Sequence, residues 1–180
     1  MERNYYSAMG GHPPQTDLLT GRAVFTEAYA VIPRGVMRDI VTSCLPHWAG
    51  TRLWIIARPL SGFAETFSHY IMEVSSGGGS DRPEADARAE CVLFMVDGEA
   101  SLTIGKRKDR LKKGGYAYLP AATTWALRND KKAPAKFHWI RKAYEPVDGL
   151  DPPEAFVTNE AEVDMRAMPG TDGKWATQRF

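Results

Sequence analysis

Three features of this 180-residue chain predict an all-β fold, an antiparallel barrel or sandwich. Its aromatic and β-branched residues fall into short runs, which suit a half-buried pleated surface. Glycine, proline and aspartate punctuate those runs at close intervals. No stretch carries a sustained 3.6-residue apolar repeat, so a helical layer is not expected.

Taken in order, residues 1–22 are polar, carry Gly10, Gly11, Pro13 and Pro14, and read as an N-terminal arm. Arg22–Ile32 is β-rich and stops at Pro33. Arg52–Arg58 and Ala64–Val74 are strands separated by Pro59 and Gly62. Ser75–Asp86, rich in glycine and acid, is expected to be a loop at a barrel mouth. Cys91–Val96 and Ala100–Ile104 flank Asp97-Gly98, a turn signal. The basic run Lys106–Lys113 reads as a solvated hairpin tip, since it lacks the interleaved aromatics of a single-strand binder. Tyr116–Leu119, Trp125–Leu127 and Lys136–Ala143 complete the strands. From Val147 onward Pro152, Pro153 and the acids Glu154, Glu160, Glu162 and Asp164 read as a linker, and strand propensity returns at Lys174–Phe180. The expected division is an arm (1–22), a barrel with its preceding strands (23–146), and a linker with the start of a second barrel not present here (147–180).

Composition excludes several classes of function. A hydrophobic fraction of 43% with 25% charged residues is that of a globular protein. A net charge of +1 favours neither nucleic acid nor a membrane surface as partner. The N-terminus lacks the apolar core of a signal peptide. Cys44 and Cys91 make no disulfide framework, which points to a reducing, cytoplasmic compartment. Gly77-Gly-Gly-Ser80 lacks the G-K-[ST] ending of a phosphate-binding loop.

Chemistry, where the chain has any, is concentrated in two spaced motifs. Residues 114–129 read GGYAYLPAATTWALRN. This resembles the second motif of the cupins, G-x5-P-x-G-x2-H-x3-N, with Gly114, Pro120 and Asn129 in place. Ala122 stands at the motif glycine and Trp125 at the metal-binding histidine. An indole N–H only donates and cannot ligate a metal. The first cupin motif, G-x5-H-x-H-x3-4-E-x6-G, ends here at Gly98. Counting back puts Cys91 at the glutamate position, with Glu90 one residue off and so on the opposite face of a strand. The two histidine positions fall within Glu84–Ala87, which holds no histidine. The fold class this resemblance implies is a cupin barrel, an all-β double-stranded β-helix, degenerate and without its metal ligands. One thiol and stray carboxylates do not make a metal shell.

Each remaining candidate has an ordinary structural reading. Trp125 is expected to fill the space a metal and its water would take. Cys91 reads as a small apolar group. His69 and His138 sit in strands as structural histidines, and His12 and His47 have no partner at metal spacing. No catalytic residue is assigned, and no metal or other cofactor is expected in this chain. Arg82 and Glu84 are the candidates to line a pocket mouth.

Over nearly its whole length the chain resembles the N-terminal half of the bicupin (S)-ureidoglycine aminohydrolases, also known as glyoxylate-induced or allantoin-catabolism proteins. The resemblance rests on Leu18–Ala23, the Gly77–Gly79 segment leading to Glu90 and Gly98, Gly114–Pro120, and Arg141–Val147. It implies a first cupin that is degenerate and a second that holds manganese. It also implies hydrolysis of (S)-ureidoglycine to ureidoglycolate and ammonia, in purine breakdown. The second cupin would take the substrate and the manganese. This half would build the fold and a homo-oligomer, dimer or higher. A metal-free cupin that stands alone and binds a small polar ligand is the other reading.

Overall fold

The computed structural model describes residues 24–25, 30–31, 45–57 and 66–180. The arm expected at 1–22, and most of the strand expected at Arg22–Ile32, lie outside them. Two short strands, β1 (Val24–Phe25) and β2 (Ala30–Val31), pair antiparallel with each other. The main body is a nine-stranded antiparallel sheet folded into a nearly closed barrel, as the sequence predicts. Its strands are β3 (Ala49–Ala57), β4 (Phe67–Ser80), β5 (Ala89–Asp97), β6 (Glu99–Ile104), β7 (Arg107–Lys112), β8 (Gly115–Leu119), β9 (Trp125–Arg128), β10 (Ala135–Ala143) and β11 (Phe156–Asn159). A hairpin of β12 (Arg166–Ala167) and β13 (Ala176–Thr177) follows. Helical structure among the described residues is limited to one 3-10 turn, Glu160–Glu162.

The order across the barrel is β11-β8-β5-β10-β4-β9-β6-β7, with β3 on the other side of β4. Two layers face each other, and β4 passes from one to the other. Its first part pairs with β3 and β10, while Gly79 and Ser80 pair with Leu127 and Arg128 of β9. This corrects the loop expected at Ser75–Asp86, because strand pairing continues to Ser80. The glycines permit it. Gly79 has φ of +140°, and a Cβ there would clash with the Leu127 carbonyl. The irregular connection is confined to residues 81–88. Gly98 also differs from a hairpin turn, since β5 pairs with β10 and β8 whereas β6 pairs with β7 and β9. It is the corner at which the chain changes layers.

Alternation fills the interior. Cys91, Leu93 and Met95 of β5, Ala117 and Leu119 of β8, Trp125 and Leu127 of β9, and Ala135, Phe137 and Trp139 of β10 all point inward and are buried. Leu53, Met72, Val74, Leu102 and Leu111 complete one continuous core. The outward residues of the same strands are half-buried or exposed. Only the charged side of the β6–β7 hairpin faces solvent, with Arg107 paired to Asp109 at 2.7 Å and Arg110 to Glu99 at 3.7 Å, while Leu102 and Leu111 enter the core.

The segment after Val147 returns to the barrel. Phe156–Asn159 extends the sheet by pairing with Tyr116–Tyr118 and Gly115 of β8. Phe156 and Phe180 stack on Tyr116, at 5.7 and 4.5 Å between ring centroids.

A candidate site plugged by tryptophan and an internal ion pair

The site is assembled from the last residues of β4, the 81–88 connection, β5, β9 and the outer end of β10. Period-two alternation in β10 turns Phe137, Trp139 and then Arg141 inward. Arg141 lies opposite Cys91 in register. Its guanidinium sits over the Trp139 ring, 5.7 Å from the centroid, and its Nη2 donates to Glu84 Oε1 at 2.7 Å. Glu84 Oε1 also accepts from the Asp86 backbone N–H at 2.9 Å. The Glu84 side chain is only 9% exposed.

Spacing alone allows either Glu84 and Asp86 or Ala85 and Ala87 at the two histidine positions of the first motif; Glu84 is turned in and buried while Ala85 and Ala87 are exposed, which selects the first pair. Gly78, Glu84, Asp86, Cys91 and Gly98 fit it with four residues between the second ligand position and the third. The two histidine positions are therefore held by Glu84 and Asp86. Asp86 faces solvent and pairs with Arg88 at 3.0 Å, which holds its carboxyl below the usual range.

Trp125 is 4% exposed and packs edge-on against Trp139 and Trp48, at 6.0 and 6.4 Å between centroids. Trp48 packs on Phe137 and Trp139 as well, and its indole N–H donates to the Pro83 carbonyl at 3.3 Å. Three indoles thus fill the mouth end of the barrel. Burial pushes the Cys91 thiol up to about 12; the Trp139 indole favours the thiolate but is outweighed. At neutral pH Cys91 is a protonated, inert thiol.

A metal shell cannot form from this set. Trp125 has no lone pair to give, Cys91 is buried among apolar groups, Glu84 Oε1 is taken by Arg141, and both Asp86 oxygens are taken by Arg88. Among the described residues no group of three or more His, Cys, Asp and Glu is placed to hold an ion. Glu90 points outward, where it accepts from the Tyr118 hydroxyl at 2.6 Å and sits 3.6 Å from Lys142 Nζ. His69 Nε2 and His138 Nδ1 lie 2.7 Å apart on the outer face, as a hydrogen-bonded pair.

A pocket of about 410 Å³ opens beside the plug. Asp81, Arg82, Glu84, Asp86, Thr123, Thr124 and Trp125 are among its walls. A larger cleft of about 530 Å³, between 162–169 and Thr177–Arg179, shares no residue with either motif. Sequence reading missed Arg141 and Trp48. The alternation Phe137, Trp139, Arg141 was the available signal for the first; Trp48 precedes its strand and gave none.

With the geometry in place, comparison with known proteins decides the class. Residues 61–144 match the EutQ-like cupin domain. The barrel is a cupin. A structure from Pseudomonas aeruginosa, provisionally named a glyoxylate-induced protein, is similar at 56% identity and a TM-score of 0.81. The match covers 94% of this chain and 61% of that one. The E. coli protein YlbA shares the cupin fold at 21% identity and a TM-score of 0.70, over 85% of this chain and 61% of that one. A predicted oxalate decarboxylase from Thermotoga maritima shares the fold at 9% identity and a TM-score of 0.52, over 59% of this chain and 96% of its own. No curated protein matches the chain. The chain thus spans about three fifths of the length of the first two of these structures.

Proposed function

We propose that this chain is the non-catalytic N-terminal cupin half of a manganese-dependent (S)-ureidoglycine aminohydrolase. In this reading it serves as scaffold and homo-oligomer surface for a second, metal-bearing cupin. The observation that carries it is the plugged metal site inside a cupin that is 56% identical to a glyoxylate-induced protein and spans 61% of it. Hydrolysis at a carbon bearing an amine and a carboxylate needs a fixed Lewis acid and an oriented water. Trp125, the protonated Cys91 and the Glu84–Arg141 pair supply neither. The half's contribution is then mechanical: a rigid barrel that presents its outer sheet for assembly.

The test is ammonia release from fresh substrate with added manganese. Residues 1–180 alone are expected to match the spontaneous background, and a form extended through a second cupin to exceed it in a chelator-sensitive way. Turnover by residues 1–180 that a chelator abolishes would overturn the scaffold role. A second reading, a metal-free cupin that binds a small polar ligand, is favoured by the pocket beside Glu84.

A further inference from the structure

We infer that the mouth of this cupin is a binding site for a small primary ammonium compound, with its N–H donors directed at Glu84. The inference rests on the ligand-binding reading and adds the ligand's chemical class. It does not depend on whether a second cupin follows.

Glu84 is an unusual wall for a pocket. Its side chain is nine-tenths buried, and the two carboxylate oxygens are unequal. Oε1 takes both donors, Arg141 Nη2 at 2.7 Å and the Asp86 N–H at 2.9 Å. Oε2 is buried and has no hydrogen-bond partner among the described residues. Buried polar atoms are almost always paired, so an orphan acceptor on a residue that lines a pocket marks a place where a donor belongs. The terminal carboxylate torsion is soft and roughly two-fold, so a modest rotation presents Oε2 to a guest in the pocket. A charged N–H donor makes a stronger bond to a carboxylate than a neutral one does, which selects ammonium over amide.

The other walls agree with a small polar guest. The pocket volume of about 410 Å³ lies in the small-molecule range. Thr123 and Thr124 also line the pocket, and a threonine hydroxyl is able to accept from an N–H. Arg128 engages both oxygens of Asp81 and Arg88 both oxygens of Asp86, whereas Arg141 engages only Oε1 of Glu84, which leaves Oε2 as the acceptor without a partner. Arg82 is the opposing charge, but it is exposed on the rim, where water and salt screen it. The Trp125 indole closes one wall and makes the site observable.

The experiment is a titration of the full chain with methylammonium, acetamide and acetate, followed by ¹H–¹⁵N spectra. Methylammonium is expected to shift the backbone signals of Ala122, Thr123 and Thr124 and the Trp125 indole signal, saturating in the millimolar range. Glu84→Gln should weaken its binding at least about tenfold. Because Glu84→Gln also disturbs Arg141, a second variant, Thr123→Val with Thr124→Val, leaves the ion pair intact and should weaken binding severalfold. Acetamide or acetate binding in preference to methylammonium would overturn the ammonium assignment while leaving a ligand-binding cupin. No saturable shift with any probe would overturn both. Methylammonium binding unaffected in both variants would place it elsewhere and overturn the site.

Discussion

Arg141 Nη2 and Glu84 Oε1 meet at 2.7 Å inside the mouth of the barrel, and Glu84 stands at a metal-ligand position of the cupin pattern. A cation is therefore still present beside that position, but it is covalently part of the chain. The guanidinium rests on the Trp139 face, which lowers the cost of holding a charge there.

Removing one partner of this pair should hurt more than removing both. Arg141→Met leaves the Glu84 carboxylate buried without its main donor, and should cost about 3–5 kcal/mol. The double variant Glu84→Leu, Arg141→Met keeps volume without charge and should recover most of that loss. Urea unfolding of the three proteins checks it. A double variant no more stable than Arg141→Met would show that the pair does not act as a unit.

Restoring a single ligand should not restore a metal site. Trp125→His places one imidazole beside a protonated Cys91 and an arginine-bound Glu84. Elemental analysis after incubation with manganese, zinc and nickel should find no stoichiometric ion in either the parent or the variant. The barrel should instead lose stability, by about 2–5 kcal/mol, because the smaller ring leaves a cavity against Trp48 and Trp139. One ion per chain in the variant would contradict the account of the plug.

The barrel and the missing imidazoles were legible because both are written in local spacing. Gly98, Gly114, Pro120 and Asn129 fix turns, and Trp125 and Cys91 follow from counting. The Glu84–Arg141 pair spans 57 residues and is set by strand register, which no local pattern encodes. The extension of β4 to Ser80 was hidden for the opposite reason. Gly77–Gly79 carries a loop composition, yet glycine is also what lets β4 approach the β9 backbone closely.

The histidine pair should make the fold acid-sensitive. Burial, with the neighbouring His138 charge, lowers His69 to about 4, and burial lowers His138 too. Both folded values lie below the unfolded value of 6.5, so the unfolded chain binds more protons in between. Stability from this pair is complete above about pH 6.5 and falls as pH drops toward 4. Because the two residues are only part-buried, screening limits the loss to about 1–2 kcal/mol. Denaturant midpoints at pH 7.5, 6 and 5 check this. His69→Asn with His138→Gln should flatten the slope, and an unchanged slope would place the acid sensitivity elsewhere.

The last prediction concerns Asn129, the buried polar residue that closes the second motif. It is 0% exposed. Its Nδ2 donates to the Val74 carbonyl at 2.9 Å and the Ala133 carbonyl at 2.8 Å, and its Oδ1 accepts from the Lys131 N–H at 2.9 Å. Its backbone meanwhile exchanges bonds with Gly77 and Gly78, tying β4 to the turn before β10. Asn129→Ala loses three side-chain bonds, which at about 0.5–1.5 kcal/mol each amounts to about 2–4 kcal/mol. Asn129→Asp should be worse at neutral pH, since an ionised oxygen would face two carbonyls with no donor between them. Burial and those carbonyls would raise the folded pKa of the new carboxyl above its unfolded value near 3.9. Its deficit relative to the parent should therefore grow as pH rises above about 4 and shrink as pH falls toward it. Unfolding of the parent, Ala and Asp proteins at pH 7.5 and 5 separates the terms. An Asp variant as stable as the parent at pH 7.5 would show that Asn129 is not the donor that holds these two carbonyls.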